Sequence, residues 1–521
     1  MSLARYLHSG VILLVCTICS CGFHIPEKEA ESVDDYAQID PDYRDVVFPP
    51  NIAPLNFVVQ ESGDRFGVRL SGDAGDSFFV QSRKGRFVFP LKKWKKLVAQ
   101  NKDHNIYFTI FVRKTGKWKK FRTISNKVAP ENIDSHLAYR LINPAFKYWS
   151  TMGLYQRNLE TFAEKPIIVN KLTDGNCMNC HNFNRNDPDD MVFHMRMGPG
   201  SGTLLSVDGK WRKVNLKTDF NKGGAYPSWH PDGKRIAFSV NSLTMFYHSV
   251  GESRDVLDRD SDLVIYDIEK NQISAAPQIA HSNRMETFPA WSADGRFLYF
   301  CAAPPLETFI DGVSHDLDYD QIRYDLMRAV YFPEKDEWGA LETVVSAAES
   351  GLSAVMPRPS PDGKYVLFTM AEYGSFPVYH HHGDLYLLEI ESGEYHRLAI
   401  NSEECESFHS WSSNSKWFVF TSKRRDGLLG RPFFAYVDES GTVHKPFLLP
   451  QKDPQFYSTF IINYNVPELV SGPIDVQPHE LYRVAYDNKK IRQATLDPRV
   501  TPRQKRDDEE IDALYQARPQ G

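Results

Sequence analysis

The hydrophobic pattern along the chain is that of short strands. Leu55–Val59, Phe66–Leu70, Phe78–Val80 and Phe87–Phe89 are brief apolar or alternating runs separated by Gly and Asp turns. Ile106–Val112 continues the series, and Lys114-Thr115-Gly116-Lys117 turns the chain into Trp118–Ile124. Five or more strands in this space predict an immunoglobulin- or fibronectin-like β-sandwich over 46–128.

The second half carries an internal repeat. Pro227-Ser228-Trp229-His230-Pro231-Asp232-Gly233 recurs as Pro289-Ala290-Trp291-Ser292-Ala293-Asp294-Gly295, then as Pro357-Arg358-Pro359-Ser360-Pro361-Asp362-Gly363. A degraded copy follows at His409-Ser410-Trp411-Ser412-Ser413-Asn414-Ser415. Each Asp-Gly is a tight hairpin turn, and an alternating strand follows it. Asp262–Ile268, Asp384–Ile390 and Phe433–Asp438 supply a further apolar strand after three of the copies. Two hairpins per period make a four-stranded blade, so the expectation is a β-propeller over 129–475, six-bladed if the flanks contribute. The fold class is all-β. The repeat resembles that of TolB-type propellers across roughly 202–450.

Composition agrees and adds a compartment. The 521 residues are 41% hydrophobic and 13% aromatic, enough for packed cores, with 31 Gly and 32 Pro for turns. A net charge of −6 argues against a nucleic-acid binder. Residues 1–20 read as a signal peptide: Arg5, the apolar run Val11–Val15, then small residues. Ile18-Cys19-Ser20-Cys21 resembles a bacterial lipobox with Cys21 lipidated; an ordinary cleaved secretory peptide is the alternative. Residues 21–45, with eight acids from Glu27 to Asp45, predict an acidic tether, and 476–521 a charged tail, mobile from Asp487. Residues 81–127 hold fifteen Lys/Arg against Asp103 alone. Such a field predicts an anionic surface contact, unless the acidic tether or propeller screens it.

Cys177-Met178-Asn179-Cys180-His181 carries the chemistry. Two thiols at this spacing can add to the two vinyl groups of one haem as thioethers, leaving His181 to ligate the iron. This haem c attachment occurs outside the cytoplasm, in keeping with the export signal. Other readings are a redox dithiol, a zinc site of Cys177, Cys180, His181 and His194, or a strained disulfide. Downstream, Met191–Gly198 offers His194 as distal iron ligand, with Met195 and Met197 as alternatives, and Arg196 as a haem propionate contact. A haem-binding insertion at about 172–200 is therefore expected.

Together with Tyr139–Ile142, Met152–Glu160 and Phe193-His194-x-Arg196, the motif resembles exported TolB-like lipoproteins of Gram-negative bacteria, often labelled cytochrome c biosynthesis-related. The resemblance spans about 130–470. It implies a lipid-anchored envelope protein with one haem c, but names no reaction. The expectation is an electron-transfer or haem-dependent role with a partner on the propeller; the rival is an envelope scaffold with structural or sensory haem. An enzyme is the less favoured class: no G-x-S-x-G occurs, and few residues follow the repeats. Cys301 reads as a buried small hydrophobe, Cys405 as a loop residue with an optional 301–405 disulfide, and His380-His381-His382 as polar surface.

Overall fold

The computed structural model describes residues 27–143, 151–247, 254–305 and 319–501. The segment expected to be a signal peptide, with Cys21, and the tail beyond 501 lie outside these residues.

Six antiparallel sheets form the blades of a β-propeller. Blade 2 runs outward from Cys177–Phe183 through Met191–Arg196 and Gly202–Val207 to Lys210–Asn215. The innermost strands of blades 3 to 6 are Ala225–Trp229, Met285–Trp291, Ser353–Pro359 and Glu406–Trp411. Blade 1 is shared between the two ends of the fold. His136–Ile142, Met152–Asn158 and Glu164–Val169 come from the N-terminal side, and the innermost strand, Asn463–Val470, comes from the C-terminal side. Pairing His136–Ile142 with Asn463–Val470 closes the ring, so no blade edge is left open between first and last repeat. The six innermost strands touch in cyclic order around one axis.

Residues 172–200 are therefore no insertion. They hold the first two strands of a full blade, whose turn sequence had diverged from the Asp-Gly repeat.

The N-terminal region has a seven-stranded and a three-stranded sheet, with a helix, Leu91–Gln100, that the strand pattern did not anticipate. The helix starts after Pro90 and buries Trp94, Leu97 and Val98 at helical spacing, while Lys92, Lys93 and Lys96 stay exposed. Trp94 Nε1 donates to the Ile52 carbonyl at 2.9 Å. The hydrophobic core here runs without a break into blade 6, through Trp417, Tyr436 and Phe447.

The described part of the acidic stretch is built into the fold rather than tethering it. Glu31–Ser32, Ile39–Asp40 and Val47–Phe48 are strands, Ala37 and Tyr43 are fully buried, and Asp40 pairs with Arg425 of blade 6 at 2.8 Å. The same holds for the tail up to 501. The helix Pro478–Tyr486 packs beside blades 1 and 2, and Arg492–Gln493 and Thr495–Leu496 add parallel to the outer edges of blades 2 and 3. These additions cover edges that would otherwise be free to pair with other chains.

Candidate functional site

Each innermost strand breaks register at one bulge, and the six bulges are equivalent. The first bulge residue has left-handed backbone, with φ from 45° to 56°: Cys180, Tyr226, Phe288, Met356, Phe408 and Val466. None is glycine, so each strains the chain by about 1–2 kcal/mol. A strain repeated in all six blades belongs to the architecture, where it turns side chains toward the axis. The next residues are His181, Pro227, Pro289, Pro357, His409 and Pro467. All twelve line one central cavity, with about 1220 Å³ of free space including its mouth open to solvent.

The C-x-x-C-H motif thus occupies the bulge position of blade 2. Cys177, Cys180 and His181 face the cavity and are 2%, 5% and 2% exposed. Both thiols are free. Burial pushes Cys177 up to about 11, against the opposing pull of Arg140 and Arg196, and raises Cys180 as well. Thiols held protonated at neutral pH do not suit an activated redox dithiol. Burial also drives His181 down to about 3, against a weaker pull from the backbone of Ala138 and Val466, so its imidazole is neutral, and neither ring nitrogen makes a well-formed hydrogen bond.

Three guanidinium groups reach the cavity. Arg196 is one of them. Arg140 was not anticipated; it donates to the Met178 carbonyl at 3.3 Å, to Asn465 Oδ1 at 3.2 Å and to Asn179 Oδ1. Arg358, also new, lies 3.8 Å from the buried carboxylate of Glu468, which accepts from Asn182 Nδ2 at 2.9 Å. Burial pushes Glu468 up to about 7, although Arg358 pulls it down. Their signal was positional: Arg358 and Glu468 each stand one residue after the ring proline.

The downstream candidates lie elsewhere. His194 is buried between blades 2 and 3, its Nδ1 2.9 Å from Thr203 Oγ1 and its ring against Phe238. It borders a separate cavity together with Met195 and Met197, and none of the three lines the central one. Met195 is buried, and Met197 is 55% exposed. With His194 in another wall, the four-residue zinc set is not brought together. Register explains the separation: His194 pairs with Asn179 on the second strand, outside the bulge that aims Cys180 and His181 inward.

Cys301 is buried in the second strand of blade 4, as expected. Cys405 is also buried rather than in an exposed loop, donates to the Pro377 carbonyl at 3.0 Å and is free, so the optional disulfide is not formed. His381 and His382 are exposed.

No protein-family model matches this chain, and no curated protein matches it. Among solved structures it is similar to a Dos1 propeller, at 15% identity over 46% of this chain and 64% of that one, with a TM-score of 0.26. The β-propeller domain of Cps50 (Swd1) from Myceliophteria thermophila is 10% identical over 53% of this chain and 91% of that one, TM-score 0.29. A chain of a nidogen/laminin complex is 7% identical over 64% of this chain and all of that one, TM-score 0.36. The strand pairing itself makes this chain a β-propeller protein.

Proposed function

We propose that this chain is an envelope lipoprotein carrying one covalent haem c in the central cavity of its propeller, with an electron-transfer role. One observation carries the reading: in C-x-x-C-H, both thiols are free and the histidine makes no well-formed hydrogen bond, and all three side chains face one cavity. A buried imidazole left so costs about 1–3 kcal/mol, which iron ligation would offset.

The surrounding residues fit the group. Cys177 and Cys180 would hold it covalently, with His181 as proximal ligand. Tyr226, Phe288, Phe376 and Phe408 give the wall an apolar surface that excludes water. Arg140, Arg196 and Arg358 bring positive charge to the cavity wall that would balance two propionates. When bound, haem supplies a one-electron centre whose potential follows from axial ligand and burial. Lipidation at Cys21 would fix the protein to the membrane, and the basic segment would contact an anionic surface.

The depth of the site favours a second reading, a propeller scaffold with structural or sensory haem. Reversible reduction by a protein-sized partner separates the two; a haem that only small reductants reach supports the scaffold. Production with the c-type maturation machinery, followed by haem staining of the denatured protein, tests the parent reading. Absence of stain defeats it.

A further inference from the structure

The ring that follows the six bulges has proline in four blades and histidine in two. Proline suits the place: a bulge leaves its extra residue out of the ladder, so the missing N–H costs nothing. The fold therefore has no need of histidine there. Yet His181 and His409 both occupy it, both line the central cavity, and both are buried, His409 at 3% exposure.

The hydrogen bonding of His409 fixes its chemistry. Nε2 lies 2.9 Å from the Leu367 carbonyl oxygen. A carbonyl can only accept, so Nε2 bears the proton and Nδ1 bears the lone pair. Nδ1 is buried and has no hydrogen-bond partner. One nitrogen donating to a backbone carbonyl while the other presents a bare lone pair is the arrangement of a metal-ligating imidazole. His194 lacks the cavity, and Met356, the thioether at the bulge of blade 5, has no comparable orienting bond.

We infer that His409, through Nδ1, would be a second protein ligand to the iron of a haem held at Cys177, Cys180 and His181. The inference rests on the haem reading above, and its test keeps the two apart. The full chain carrying covalent haem is compared with His409→Ala, His409→Pro, His194→Ala and Met356→Ala. His409→Pro restores the residue of four other blades, so it keeps the fold while removing the ligand. The expected result is a low-spin spectrum in the parent, and full haem content with a high-spin spectrum and ready carbon monoxide binding to the ferrous form in both His409 variants. His194→Ala and Met356→Ala should stay low-spin. A low-spin His409→Pro protein with normal haem content overturns the inference alone, and so does loss of the low-spin state in Met356→Ala or His194→Ala only. A parent chain without covalent haem overturns both the inference and the reading beneath it.

Discussion

Arg358 of blade 5 and Glu468 of blade 1 meet at 3.8 Å, and both line the central cavity and a second chamber. The pair is thus shared by the two chambers. Its carboxylate is the costly partner, because Glu468 is nearly fully buried and its Oε2 has no hydrogen-bond partner.

This predicts a pH signature. The folded chain holds the Glu468 proton up to about pH 7, whereas an unfolded glutamate releases it near 4.5. Between those values the folded state binds more protons, so this group's contribution to stability falls as pH rises. Glu468→Gln should be near neutral at pH 4.5 and stabilising by about 2–3 kcal/mol at pH 8. Urea denaturation at the two pH values checks it; equal effects at both would contradict the assignment.

His194 gives the opposite slope. Burial keeps it neutral down to about pH 3, while the unfolded chain protonates it below about 6.5. Stability is therefore lost as pH falls through that window, by about 1.4 kcal/mol per pH unit where the difference is one full proton. His194→Gln, which retains a polar atom for Thr203, should flatten the curve between pH 6 and 4. An unchanged slope would mean that His194 is already protonated in the folded state.

Trp417 tests the join between the N-terminal region and the propeller. It is fully buried, 4.9 Å from the ring of Tyr436, and its Nε1 donates to the Glu131 carbonyl at 3.3 Å. Trp417→Ala should cost about 3–5 kcal/mol in a single transition, because the core is continuous across the join. Two separated transitions in the parent chain would show that the halves unfold independently.

The basic segment predicts salt-sensitive membrane binding. Five of its cations pair with acids: Arg86 with Asp453, Lys95 with Glu160, Lys96 with Asp76, Arg113 with Asp64 and Lys127 with Asp103. Asp40 and Asp42 pair instead with Arg425 and Lys445 of blade 6, whereas the strand Glu31–Ser32 lies beside Lys119 and Lys120. The chain from residue 22 onward should sediment with anionic vesicles at low salt and be released at moderate salt, while ignoring neutral vesicles. Equal binding to both vesicle types, or none at low salt, would remove the surface role.

The propeller was legible because Pro-x-Trp and Asp-Gly recur where each blade needs its bulge and its tight turn. Blade 2 was hidden because its bulge residues are Cys180 and His181 rather than an aromatic and proline, and the loop 184–190 replaces the short Asp-Gly turn. The same substitution that made the motif visible as chemistry concealed it as a repeat. Blade 1 was split between His136–Ile142 and Asn463–Val470, and pairing at that distance leaves no local trace. The helix Leu91–Gln100 was lost among lysines, since three buried side chains per ten residues look like an interrupted strand. For the site, alternation on a strand suggested His194, but a bulge overrides alternation. His409 was visible only as a flawed repeat until the closed ring set it in the wall of His181's cavity.

The most direct test of the central claim is covalent haem in the full chain and in Cys177→Ala/Cys180→Ala, each produced with the c-type maturation machinery and separated by denaturing electrophoresis. Haem stain coincident with the parent band, and none with the double variant at equal protein, is the predicted result. Haem stain retained by the double variant, or absent from the parent, would contradict the account.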